Sequence, residues 1–194
     1  MIEGMTLKLA IIIGSTRPGR VGPAVAAWAL DAAQQHGAFD VRLVDLADFN
    51  LPLLDEPEHP SLKRYHHEHT KRWSAEMDDA DAFVFVTPEY DYFAPASLVN
   101  AVQCLSKEWA RKAAGIVSYG GISSGLRSTQ ALRVLLSNVN VHAVPQTVAI
   151  QFVKQHVHDG VFTPPEYAPG AIAAMLTELS AWSEAIAQLR TTSR

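Results

Sequence analysis

The sequence is poor in the features that announce many protein classes. It has one cysteine, Cys104, in 194 residues. An internal disulfide is therefore impossible, and a reducing compartment fits best. Charge of one sign is nowhere concentrated: sixteen basic residues face twenty acidic ones, for a formal net charge of −4. Duplex nucleic acid is thus a poor partner, because gripping phosphates needs a clustered basic face. Long hydrophobic runs are missing too. Leu7–Ile13 is short, carries Lys8, and ends in Gly14-Ser15-Thr16-Arg17 rather than at a small-residue cleavage site. The longest charge-free stretch, 134–153, holds Asn138, Asn140, His142, Gln146 and Gln151, which lipid would not accept, and Pro145, which would interrupt a spanning helix. These absences lead us to expect a soluble, cytoplasmic protein with no membrane or nucleic-acid partner.

What is present reads as a globular domain. The chain is 48% hydrophobic. Its length suits one domain spanning 1–194, large enough to bury roughly 70% of its unfolded surface. Two periods alternate along it. Leu7–Ile13 is a near-continuous apolar strand, as expected when both faces are covered. Val25, Trp28, Ala29 and Ala32 then follow helical spacing, with Gly37 as a stop. Further strands are expected at 39–44, 81–86, 114–118 and 142–148. Helical stripes fall on Leu98, Ala101, Val102 and Leu105, on Leu132, Leu135, Leu136 and Val139, and on the run from Ile172 to Ile186. Five strands alternating with helices argue a doubly wound α/β domain with a parallel sheet. The proline-rich stretch 50–70 and the irregular stretch 151–165 stand outside this pattern.

In open α/β sheets, ligands sit beyond the carboxyl ends of the strands, where strand order reverses. Three strand-ending loops are unusual. The first is Gly14-Ser15-Thr16-Arg17-Pro18-Gly19-Arg20-Val21-Gly22. It leads into a helix N-terminus, whose free N–H groups and partial positive charge suit an anion. Ser15 and Thr16 add hydroxyls, Arg17 and Arg20 add charge, and no acidic residue lies between Gly14 and Ala29. The plain alternative is a tight turn with two solvated arginines. It is not a dinucleotide fingerprint, because Ser15-Thr16 stand where that needs glycine. It is not a P-loop either, because Arg20 and Val21 replace the lysine and the magnesium-binding hydroxyl. A monophosphate cradle remains.

The second loop, Thr87-Pro88-Glu89-Tyr90-Asp91-Tyr92-Phe93-Ala94-Pro95, puts three aromatics within residues 90–93. They suit a flat ring, or alternatively an aromatic interface patch. The third, Ser118-Tyr119-Gly120-Gly121-Ile122-Ser123-Ser124-Gly125, lets backbone approach a ligand closely through its glycines and offers serine hydroxyls; a merely flexible turn is the alternative. Together the loops describe a site for a flat heteroaromatic with one phosphate, and flavin mononucleotide (FMN) meets that description. The candidate cofactor residues are Ser15, Thr16, Arg17, Arg20, Gly22, Pro88, Glu89, Tyr90, Asp91, Ser118, Tyr119, Gly120, Gly121 and Ser124.

With these loops, and with Asn100-Ala101 on the following helix, residues 7 to 150 resemble the NADPH-dependent FMN reductases. The resemblance implies a flavodoxin-like three-layer sandwich with strand order 2-1-3-4-5. It implies that Ser15 and Arg17 hold the FMN phosphate, that Pro88, Glu89 and Tyr90 border the isoalloxazine, and that Gly120-Gly121 approach it from the other side. It also implies a homodimer or homotetramer. The chain departs from the family pattern at Arg20, often serine, and at Asp91, usually asparagine. An ionised aspartate at the N1–O2 edge would lower the flavin potential, whereas facing N3–H it would be harmless.

The expected activity is a flavoprotein oxidoreductase that passes hydride from NADPH or NADH to FMN, then electrons to a second acceptor, in ping-pong order. The acceptor could be a flavin, quinone, azo compound or metal ion. The flavin does the chemistry, so no catalytic acid or base is assigned. A non-catalytic FMN-binding electron carrier is the alternative; such carriers tend to be more strongly acidic. A fold-keeping protein without flavin is a third reading. No metal site is expected: His59, His66, His67 and His69 lack a zinc spacing and read as a solvated helix start. Cys104 reads as a buried small hydrophobe.

Overall fold

The computed structural model describes residues 6–191. Five parallel strands form the sheet: β1 (Leu7–Ile13), β2 (Phe39–Asp45), β3 (Ala82–Pro88), β4 (Lys112–Tyr119) and β5 (Val141–Ile150). Their order is β2-β1-β3-β4-β5. Every residue of β3 and β4 is buried, as the uninterrupted apolar runs require. The period of two divides the sheet's side chains between two cores. Leu9, Ile11, Ile13, Val84, Val86 and Val117 pack on helices α1 (Gly22–His36) and α5 (Ala168–Thr191). Ala10, Ile12, Phe83, Phe85 and Ile116 pack on α2 (Glu68–Asp78), α3 (Ala96–Gln103) and α4 (Leu126–Asn138), with Trp73 and Trp109 wholly buried among them.

Three details bear on where the site falls. Gly37 closes α1 in the left-handed conformation, with its N–H bonded to the Ala33 carbonyl. Pro145 sits where β5 bulges against β4, and the Arg133 guanidinium bridges the carbonyls of Ala143, Val144 and Pro145 there. The loop before α2 is held from both sides. The Asn100 amide donates to the Pro52 carbonyl and accepts from the Leu54 N–H, while the Glu56 carboxylate takes the N–H groups of His66 and His67.

The strands run one or two residues past most of the expected ends, because ladder bonding continues where the apolar pattern stops. The irregular stretch after β5 is more ordered than expected. It contains a short 3-10 turn (Val153–His156) and a small antiparallel hairpin, β6 (Val157–His158) and β7 (Val161–Phe162). Two-residue strands are too short to leave a periodicity. Helix α2 also escaped the apolar reading: only Thr70, Trp73, Ser74 and Met77 face inward. Among the described residues no helix is long and apolar enough to cross a membrane.

Candidate functional site

A cleft of about 320 Å3 opens at the carboxyl ends of β1, β3, β4 and β5. This is within the range that small-molecule sites occupy. Arg17, Arg20, Pro88, Glu89, Tyr90, Tyr119, Gly120 and Gly121 all line it, so eight of the expected residues converge there.

One end of the cleft is built from the β1–α1 loop. Helix α1 has no side-chain cap and no acid in its first turn, so its positive end is left unanswered. Ser15 is fully buried behind the loop, and its hydroxyl meets the Tyr90 hydroxyl at 2.9 Å, tying the first loop to the second. Arg17 is exposed and forms no ion pair among the described residues. Arg20 is already engaged. Its guanidinium forms a two-pronged pair with Asp45, at 2.8 and 2.6 Å, and also donates to the Ser15 carbonyl. Asp45 closes β2, the sheet neighbour of β1, so strand order rather than sequence distance supplies this carboxylate. Arg20 therefore positions the loop through Ser15 and brings little net charge to the cleft.

Gly22 and Tyr119 belong together. A Cβ on Gly22 would lie 2.8 Å from the Tyr119 hydroxyl, so only glycine lets that ring reach beneath the helix start. The hydroxyl is buried and has no hydrogen-bond partner among the described residues. Burial pushes its ionisation well above the usual tyrosine range, so it stays an O–H donor.

The other end of the cleft uses the second and third loops. Tyr90 and Phe93 exchange backbone hydrogen bonds at 2.9 and 3.0 Å, and Asp91 and Tyr92 between them have φ of 47° and 76°. This is a two-residue hairpin turn of the type that demands positive φ at both central positions. Tyr92 and Phe93 are each 62% exposed. The Glu89 side chain, only 5% exposed, pairs with the Arg127 guanidinium and accepts the Arg127 N–H at 3.1 Å, capping α4 from outside. Burial opposes its charge, but the hydrogen bonds from Arg127 and Ser123 outweigh this and hold its pKa below the usual range. Arg127 also lies over the Tyr92 ring at 3.8 Å. Gly121 has open space where a Cβ would stand, which leaves its backbone accessible.

Six expected residues do not line the cleft: Ser15 and Gly22 lie behind it, and four fall elsewhere. Thr16 turns to a separate polar hollow shared with Asn50 and Ser97. Asp91 sits exposed at the hairpin tip and does not line the cleft, so neither of its expected flavin contacts is prepared here. The Ser118 hydroxyl bonds the Ser124 carbonyl, and both serve the loop itself. Conversely, Phe152, Val153, Lys154 and Gln155 form a wall of the cleft that the sequence did not reveal. Its only trace was an irregular stretch after β5. Arg127 left no local signal at all.

Away from the cleft, the histidines serve the long loop: His69 pairs with Asp55 at 3.0 Å, and His59 caps a short turn at Ser61. Burial pushes the Cys104 thiol up to about 11, which keeps it protonated and unreactive.

An uncapped helix start, an unpaired arginine, a spare hydroxyl donor and an apolar floor suit a planar cofactor with one anionic tail, and FMN fits. The fold and cleft together define a flavodoxin-like flavoprotein. Comparison with known proteins narrows this class. The model of the NADPH-dependent FMN reductase family matches residues 7–155. An NAD(P)H-dependent FMN reductase of Schizosaccharomyces pombe is 36% identical over 162 residues, covering 82% of this chain and 80% of its own. An NAD(P)H:quinone oxidoreductase of Solanum tuberosum is 27% identical, covering 82% and 84%. Among solved structures, the flavoenzyme NAD(P)H:acceptor oxidoreductase FerB of Paracoccus denitrificans superposes with a TM-score of 0.69 at 18% identity, over 92% of this chain and 98% of its own. The chain belongs to the NADPH-dependent FMN reductase family: it is an NAD(P)H-dependent, FMN-using oxidoreductase.

Proposed function

We propose that the protein moves reducing equivalents from a nicotinamide to a small organic acceptor, with quinones foremost, through FMN held in this cleft. The carrying observation is the junction of two chemistries in one cavity: the uncapped α1 start with unpaired Arg17, and the flat floor of Pro88, Tyr90 and Gly120-Gly121. When bound, FMN accepts hydride from the nicotinamide and releases two electrons to the acceptor. The protein supplies placement. Arg17 and the α1 N–H groups hold the phosphate, Arg20 fixes the Ser15 carbonyl, and the Arg127–Glu89 pair sets the hairpin against α4. The small size of the cleft supports donor and acceptor using one face in turn, which is ping-pong order. Relatives that carry quinone oxidoreductase names support quinone as acceptor. The exposed rim of Tyr92, Phe93 and Ile122 supports a homodimer or homotetramer, and the unreactive Cys104 is compatible with the cytoplasm.

The test is an anaerobic visible spectrum of the purified protein with FMN. Rapid bleaching by NADPH or NADH, reversed by a quinone, is the expected result. A yellow protein indifferent to both nicotinamides would make it an electron carrier, and a protein that stays colourless would remove flavin from its function.

A further inference from the structure

The cleft carries one cation more than its flavin requires. FMN brings a single phosphate, which the proposed function seats beside Arg17 at the α1 start. Arg20 is matched by Asp45. Lys154 remains, lining the same cavity from the wall after β5, exposed and without an ion pair among the described residues.

That wall is firmly built. Phe152 holds a left-handed conformation, φ 45°, which a bulky residue keeps only when its surroundings impose it. Its N–H donates to the Gly121 carbonyl and that of Val153 to the Gly120 carbonyl, each at 3.1 Å. The Gln155 N–H closes the turn on the Phe152 carbonyl at 2.8 Å. The wall is thus stitched to the glycine loop that borders the flavin ring. It presents an aromatic ring 44% exposed beside a free ammonium group. An apolar surface next to a point positive charge matches a ligand with flat rings and phosphates.

We infer that Lys154 binds a phosphate of the nicotinamide dinucleotide and sets affinity for that substrate. The inference rests on the flavin reading and deepens it. The reaction needs two phosphorylated molecules in the cleft. Two unpaired cations on separate elements give each an anchor and keep the two anions from sharing one. The phosphate is either the pyrophosphate, present in both dinucleotides, or the 2′-phosphate, which NADPH alone carries.

The test uses the FMN-loaded protein. Dissociation constants for NADP+ and NAD+ are measured by calorimetry, and KM for NADPH and NADH by steady-state kinetics, in wild type, Lys154→Ala and Lys154→Arg. Lys154→Ala is expected to weaken NADP+ about tenfold, the scale of one charge-assisted hydrogen bond. Lys154→Arg retains most of the affinity, and the FMN dissociation constant stays unchanged in both. Weakening of NADP+ alone assigns the 2′-phosphate, and equal weakening of NAD+ assigns the pyrophosphate; either supports the inference. Unchanged dinucleotide affinity overturns it. So does a parallel loss of FMN, which would make Lys154 part of the flavin's own cradle. Failure of the flavin reading looks different: wild type would stay colourless with FMN, and both claims would fall together.

Discussion

The two ends of the sheet treat charge in opposite ways. At the amino end the cations that close the structure are matched. Lys8 meets Asp79 at 2.6 Å, Arg190 meets Asp81 at 2.7 Å, and Arg42 meets Glu76 at 2.5 Å. Lys112, nearly buried, donates to the last carbonyls of α2 and lies over the Phe83 ring. At the carboxyl end Arg20 and Arg127 have carboxylates, but among the described residues Arg17 and Lys154 do not. Arg20 and Arg127 hold loops there, whereas Arg17 and Lys154 line a cavity. A fold can leave positive charge unanswered only where water or a ligand reaches it, so the difference separates the end that holds the molecule together from the end that binds.

Removing one group from each end sharpens the contrast. Glu108, wholly buried near the start of β4, accepts from the Tyr65 hydroxyl, the Ser74 hydroxyl at 2.6 Å and the Ser106 N–H. Glu108→Ala strands those donors and is expected to destabilise the fold by about 3 kcal/mol, with FMN affinity in the surviving folded protein unchanged. Urea denaturation and flavin fluorescence titration read the two effects. Arg17→Ala should do the reverse. FMN affinity falls about 10- to 100-fold, the value of a hydrogen bond to a charged group, while the urea midpoint stays put. A destabilised Arg17→Ala protein with normal flavin affinity would erase the distinction between the ends.

The sequence made the scaffold of this comparison readable and left its partners hidden. The near-continuous apolar runs 7–13 and 81–86 declare central strands because both faces are expected to be covered, and the loops that end them declare the cleft. Arg17 was readable as a cation left free because nothing acidic stands near it in the chain, and it has no ion pair among the described residues. Arg20 looked the same for the same reason, yet Asp45 cancels it from the neighbouring strand. Glu89 lines the cleft where the sequence puts it, but the partner of its carboxylate, Arg127, lies 38 positions away and was not readable. The wall at 152–155 rests on backbone bonds to Gly120 and Gly121 and on a non-glycine left-handed turn, and neither writes a composition signal. What is local in physics was legible; charge pairing across strands was not.

The smallest effect belongs to Lys112. Burial, chiefly, brings its pKa down to about 8, against 10.5 when unfolded. Below the folded value both states hold the proton, and the cost of burying the cation is constant. Between the two values the native state has shed its proton while the unfolded state keeps it. The unfolded state then binds more protons, so stability contributed by this group rises with pH. The neutral amine still donates to the Met77 carbonyl, so the cap survives the titration. Relative to Lys112→Met, wild type should gain about 1–2 kcal/mol between roughly pH 7.5 and 9.5. Parallel urea titrations of the two proteins measure that difference directly. A gap that stays flat, or shrinks against wild type as pH rises, would mean that the α2 carbonyls and nearby carboxylates hold the ammonium charged despite its burial.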